Sequence, residues 1–310
     1  MFGMNDTTIP PGRESPPIQV YADAAALAQA AAAHWASRAA EAIAAHGRFA
    51  VALSGGSTPR ATYGLLATPA WAGGVNLPTA SDGPSRGETS SASNDRQLFA
   101  GEDSGNASVP RKKAGALFGF AEKSPGLFPV DWARVHVFWG DERCVPPEHP
   151  ESNYRLAREA LLDHVPLPPA NIHRIHTERE PAQAAADYER TLRRFFGPGN
   201  APRFDLVLLG LGTDGHTASL FPGTPAVQEH ERWVVAHYVP SLAAWRVTLT
   251  PAVLNAADQV TFLVAGAEKA GVLDRVLNGP CQPDMLPAQV VRPAGGSLLW
   301  LVDAAAQSGR

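Results

Sequence analysis

Cysteine is scarce: Cys144 and Cys281 are the only two in 310 residues. They form no metal-ligand spacing, and two thiols cannot build a disulfide framework, so the chain is expected to rest on an apolar core in a reducing compartment, the cytoplasm. Charge of one sign is also lacking. Lys and Arg total 26 against 30 for Asp and Glu, a net charge of -4 with no long basic run. That excludes the electrostatic footprint of a nucleic-acid partner, so an anionic ligand must be met by local groups. No segment approaches the ~20 apolar residues of a spanning helix. The opening MFGMNDTTIPPGRESPP has neither the basic start nor the apolar stretch of a signal peptide, so no membrane partner is expected. Repeats of fixed period and heptad runs are missing too. What is present is 45% hydrophobic residues, enough at this length for a large core.

The apolar residues alternate between strand-like and helix-like stretches. Residues 22–46 are alanine-rich, free of proline and followed by Gly47, the pattern of a helix with a C-terminal glycine. RFAVALSGGSTPRATYGLLA (48–67) then reads as strand, glycine turn and helix, with Thr58 as the cap and Pro59 in the first turn. The same order recurs at RVHVFWGDER before SNYRLAREALLDHV, at FDLVLLGLG, and at QVTFLVAGAEKAGVLDRVL. Runs such as Val207-Leu208-Leu209 are apolar on both faces, as buried parallel strands are, so the fold class is α/β with helices on both faces of the sheet. RWVVAHYV, AWRVTLT and SLLWLVD are expected to complete that sheet at roughly six or seven strands. From 68 to 129 the composition turns to Ser, Gly, Asp, Asn and Pro. We read a tail over 1–21 and a single domain over 22–306, interrupted by a surface insertion at about 68–129, whose closure entropy grows only logarithmically with length.

Four stretches can carry chemistry. SGGSTP (54–59) is a glycine turn entering a helix, where backbone N–H groups can meet an anion. It has no P-loop lysine, and it would serve equally as a tight turn. GLGTDG (210–215) fits G-x-G-x-x-G, but Pro222 and Pro225 leave no room for the crossover helix of a dinucleotide site, so no NAD is expected. The glycines instead bring the backbone close to a ligand and present His216, with Asp214 beside it, at the carboxyl end of a strand. A histidine there can take a proton from water, or can simply pack. Asp214 and His216 lack a third ligand at motif spacing, and His173 and His176 are not at zinc-helix spacing, so no metal is expected. GDERCVPPEHPESNY gathers Asp141, Glu142, Arg143, Ser152 and Asn153 after a strand, either at a ligand crevice or as a solvated loop. Cys144 beside Arg143 could be a thiolate but is more simply a small core residue, and no G-x-S-x-G elbow supports a serine nucleophile. Arg246 and Lys269 fall at strand ends, where they can converge on an anion.

Taken together, LSGGSTP, FWGDERCVPPEHPESNY, NIHRI, LGLGTDGHTASLFPG, RVTLTP and VAGAEKA resemble the 6-phosphogluconolactonases, in order over about 22–306 apart from the insertion. The resemblance implies a modified Rossmann-like α/β domain with a mostly parallel central sheet, similar to glucosamine-6-phosphate deaminases and ribose-5-phosphate isomerases, and no cofactor. It implies hydrolysis of 6-phospho-D-glucono-1,5-lactone in the oxidative pentose phosphate pathway, with His216 as general base and Asp214 or Asp141 orienting it. Arg143 and backbone N–H groups would stabilise the oxyanion. Gly55, Gly56, Ser57, Thr58, Asn153, Arg246 and Lys269 would bind substrate and phosphate. The long insertion, and Arg60 where some relatives carry Lys, depart from the family pattern. A deaminase or isomerase on the same scaffold is the alternative, but it would carry Asn and Glu where this chain reads Ser219-Leu-Phe-Pro. A non-catalytic sugar-phosphate sensor would need a basic helix-turn-helix segment that the proline-rich tail cannot hold.

Overall fold

The computed structural model describes residues 16–68 and 130–308, which form one compact unit. Strand β1 (Ile18–Tyr21) leads into α1 (Ala24–His46), which Asp23 caps by accepting the Ala26 N–H at 2.8 Å and which Gly47 ends with a left-handed φ of 84°. Its buried residues, from Leu27 and Ala28 through Trp35 to Ala42, recur every three or four positions and lie against the sheet. Then come β2 (Phe49–Leu53), α2 (Ser57–Leu66), β3 (Val135–Trp139), β4 (Asp141–Arg143), α3 (Asn153–Ala160), α4 (Pro181–Phe196) and β5 (Leu206–Leu209). The chain continues through β6 (Val234–Val239), β7 (Ala244–Leu249), α5 (Pro251–Leu254), β8 (Gln259–Val264), α6 (Ala270–Asn278), β9 (Ser297–Asp303) and α7 (Ala304–Gln307).

Six strands pair in parallel in the order β1-β9-β8-β5-β2-β3. Their central members are buried on both faces, as the unbroken apolar runs require. From β2 the chain adds β3 on one side, and from β5 it adds β8 and β9 on the other, so the winding reverses between β2 and β5. Open α/β sheets bind ligands beyond the carboxyl ends of their strands at such a reversal. Here those ends carry the Gly55–Gly56 turn and the Gly210–Gly212 turn.

Three expectations need correction. RWVVAHYV and AWRVTLT do not extend the parallel sheet; they form an antiparallel hairpin that pairs with β4 in a separate sheet of order β4-β7-β6. A parallel pair needs a crossover, and the tight turn through Pro240–Leu242 and left-handed Ala243 (φ 46°) leaves none. The main chain passes between the two sheets at Gly140, whose N–H donates to Leu53 at 2.9 Å while its carbonyl accepts from Leu249 at 2.8 Å. Second, Ile18–Tyr21, inside the expected tail, is an edge strand along β9; four residues after a proline pair are too short for a visible period. Third, Thr58 is not the cap of α2: that position belongs to Gly56, with no side-chain acceptor. Residues 1–15 of the tail and the expected insertion from residue 69 lie outside the described residues, among which no helix is long and apolar enough to cross a membrane.

Two histidines of the framework make stability depend on pH. Burial, with Arg38 nearby, pushes His34 down to about 4, where its Nε2 pairs with Thr261 Oγ1 at 3.1 Å. Burial, with His136 beside it, likewise pushes His173 down to about 4. Both stay neutral in the native state while the unfolded chain takes up protons near pH 6.5. The stability they carry is therefore full above about pH 6.5 and is lost as the pH falls toward 4. Tm measured from pH 8 to 4 is expected to be flat and then drop by several degrees below pH 6.5. His34→Gln, which can keep the bond to Thr261 without titrating, should flatten that drop.

Candidate active site

The turn after β2 is fixed from below and open above. Ser54 exchanges two bonds with the buried Tyr63 hydroxyl, its N–H donating at 3.1 Å and its carbonyl accepting at 2.8 Å. Gly56, at φ 108°, brings the chain into α2 with no side chain of its own over the first turn, so among the described residues no side chain caps that turn. A bare helix N-terminus favours an anion through its N–H groups and its dipole. Gly55 has a different reason to be glycine: a Cβ there would sit 1.9 Å from Asn153 Oδ1.

Asp141, Glu142 and Arg143 point in alternate directions because they lie on strand β4. Glu142 faces α3, where its carboxylate accepts the N–H groups of Asn153 (2.7 Å) and Tyr154 (2.8 Å) and the Ser152 hydroxyl (3.1 Å). Burial lifts its pKa above the ordinary carboxylate range, and these donors offset that only in part. Glu142 therefore builds the start of α3 and sets Asn153. Asp141, 6% exposed, faces the cleft; it accepts from Asn153 Nδ2 at 3.2 Å and from the Ser219 hydroxyl at 2.6 Å. Arg143 also reaches the cleft and donates to the Glu151 carbonyl at 2.5 Å. Arg246 stands opposite Arg143 in the β4–β7 register, and burial together with that guanidinium pushes its pKa down.

Beyond β5, Gly212 donates its N–H to the His216 carbonyl at 2.8 Å, closing a tight loop. Gly215, at φ 87°, packs under Leu286. Within the loop, Asp214 Oδ1 lies 2.5 Å from His216 Nδ1 and 3.1 Å from its backbone N. Burial opposes ionisation of Asp214, but the hydrogen bonds and charge of His216 outweigh it and hold its pKa below the ordinary value. An ionised Asp214 can only accept, so Nδ1 carries the hydrogen and Nε2 is the free nitrogen. The imidazole side chain is 31% exposed, and one face stacks on Phe221 with ring centroids 4.2 Å apart. Of the two carboxylates expected to orient His216, Asp214 touches it; Asp141 is committed to Ser219 and Asn153.

These parts enclose a cleft of about 300 Å³. Gly55, Gly56, Ser57, Thr58, Asp141, Arg143, Asn153, His216 and Lys269 all line it. Asp214 stands behind His216, and Arg246 lies outside the lining, across from Arg143. Lys269 is brought in by the turn after β8, where Gly266 donates its N–H to both oxygens of Asp303 at 3.1 Å. Sequence reasoning passed over three residues: Ser219 and Phe221, inside the histidine motif itself, and Glu268, next to Lys269 on the cleft wall. Cys144 does not line the cleft, and burial pushes its thiol up to about 11, away from the thiolate a nucleophile needs. No α-helix follows Gly215 before β6, which removes the dinucleotide reading of GLGTDG. Among the described residues no group of three or more His, Cys, Asp or Glu is placed to hold a metal.

The sequence and the fold have counterparts among known proteins. The family model for glucosamine-6-phosphate isomerases/6-phosphogluconolactonase matches residues 22–79 and 110–300. The 6-phosphogluconolactonase of Nostoc sp. is 37% identical over 268 residues, covering 86% of this chain and 86% of that protein. The 6-phosphogluconolactonase of Rattus norvegicus is 45% identical over 180 residues, covering 57% of this chain and 69% of that one. The solved 6-phosphogluconolactonase from Trypanosoma cruzi superposes with a TM-score of 0.68 at 25% identity, covering 94% of this chain and 98% of the other.

Proposed function

The chain belongs to the glucosamine-6-phosphate isomerase/6-phosphogluconolactonase family, and from that membership we infer that it is a 6-phosphogluconolactonase, hydrolysing 6-phospho-D-glucono-1,5-lactone to 6-phosphogluconate in the oxidative pentose phosphate pathway. One observation carries the assignment of roles: the Asp214-bound imidazole and the uncapped start of α2 open onto the same cleft, as a reaction centre and a phosphate grip must. Water attacks the lactone carbonyl carbon while His216 Nε2 takes its proton, and Asp214 balances the imidazolium that forms. Arg143 and backbone N–H groups of the cleft stabilise the tetrahedral oxyanion. On collapse, the bond from the carbonyl carbon to the ring oxygen breaks, and that oxygen receives the proton from His216. A lactone is reactive enough for this set to suffice without a covalent nucleophile.

The 6-phosphate is held by the Gly55–Gly56 turn, Ser57, Thr58 and Lys269, so that binding energy far from the reacting carbon fixes its position. Asn153 packs against that turn from behind, and Arg246 adds positive potential behind Arg143. We assign the reaction to the cytoplasm, a reading that two unpaired cysteines, Cys144 and Cys281, support.

Lys269→Ala, assayed with lactone generated in situ, should raise KM about tenfold or more, the cost of one charge-assisted bond, with kcat largely kept. An unchanged KM would remove Lys269 from the phosphate grip. The wild-type protein offered glucosamine 6-phosphate is expected to release no ammonia; release at a rate comparable to lactone turnover would move the chain to the deaminase branch.

A further inference from the structure

We propose that Phe221 is a positioning residue of the reaction, holding the imidazole of His216 in the plane that keeps Nε2 toward the substrate; this rests on the general-base reading of His216. The bond to Asp214 fixes one nitrogen but leaves the ring free to swing about that bond's axis. Phe221 removes the swing: its ring, 6% exposed, lies 4.2 Å from the imidazole, centroid to centroid, at an interplanar angle of 26°.

The chain is bent with some strain to place it there. Ala218 adopts φ 47°, a left-handed conformation that is unfavourable for an alanine and persists only where the surroundings enforce it. The enforcing groups surround Ser219. Its hydroxyl donates to Asp141 at 2.6 Å, its N–H to Thr248 Oγ1 at 3.3 Å, and its carbonyl accepts from His237 Nε2 at 2.7 Å. Leu220 closes the turn by donating its N–H to the Thr217 carbonyl at 2.9 Å. Thr224 then occupies the Phe221 carbonyl from its N–H at 3.1 Å and its hydroxyl at 2.8 Å. A chain reversal held at this many points, ending in an aromatic face laid on the proton-transferring ring, sets that ring's orientation.

Phe221→Met keeps the apolar volume but not the flat face, and Phe221→Tyr keeps both. Steady-state kinetics and the ring-nitrogen NMR signals of His216 are read for each, with Ser219→Ala as a variant that loosens the reversal without touching the ring. Phe221→Met is expected to lower kcat at least about tenfold with KM within about twofold, a misplacement effect. Its His216 nitrogen signals should move from a fixed Nδ1–H tautomer toward an average of the two. Phe221→Tyr should restore both, and Ser219→Ala should move the same signals in the same direction. Wild-type kcat and unmoved signals in Phe221→Met, beside an inactive His216→Ala, would overturn the proposal while leaving the general base intact. A kcat loss with unmoved His216 signals would also overturn it, assigning Phe221 to packing alone. Should Phe221→Met not fold, unmoved signals in Ser219→Ala would reject it equally.

Discussion

His216→Ala is expected to lower kcat by at least about a hundredfold, the lower end of what a positioned general base contributes, while KM changes little. The ring is partly exposed and, among the described residues, bonds only to Asp214, so removing it leaves no buried donor stranded and the protein should melt near the wild-type temperature. The KM expectation follows from the proposed separation of tasks in the cleft: the phosphate grip assigned to the start of α2 and Lys269 does not depend on the imidazole. The test is turnover of lactone generated in situ, corrected for spontaneous hydrolysis. Turnover within about threefold of wild type would end the general-base assignment.

Gly212→Ala is expected to be nearly as damaging, although it adds a single methyl group that touches no substrate. A Cβ on Gly212 would lie 2.0 Å from His216 Nδ1 and 2.6 Å from Asp214 Oδ1, inside the pair that defines the base. Neither partner can yield freely, because the Gly212 N–H is bonded to the His216 carbonyl at 2.8 Å and the ring is backed by Phe221. The backbone of Gly212, unlike that of Gly215 at φ 87°, is open to any residue. The fold should survive while the imidazole moves by about an ångström, a displacement worth about a hundredfold in rate. A folded Gly212→Ala enzyme with wild-type kcat would show that the ring does not need the position described.

Much of this was legible in the residues, for identifiable reasons. The units FAVAL-SGG-helix, FDLVLL-GLG and QVTFLV-AGAEK announce themselves because a doubly buried parallel strand must be apolar throughout and its following turn must be small. The small sheet was not legible, since only its pairing with β4 decides that β6 and β7 leave the main sheet, and that pairing joins Arg143 to a residue far along the chain. At the site, Asp214 and Asp141 look alike as letters. What separates them is that one shares a tight loop with His216, whereas the other alternates with Glu142 on a strand and turns to Asn153. Phe221 was invisible for a similar reason. Its partner lies five positions earlier, and only the left-handed turn at Ala218 brings the two rings together.

The passage of the chain at Gly140 means that the two walls of the cleft are anchored in different sheets. The imidazole and the Gly55–Gly56 turn hang from the parallel strands, whereas Asp141 and Arg143 ride on the antiparallel hairpin layer. A bound sugar phosphate therefore acts as a rivet between two layers that already share one apolar core, and occupancy should strengthen the cohesion of the whole molecule and not of a single loop.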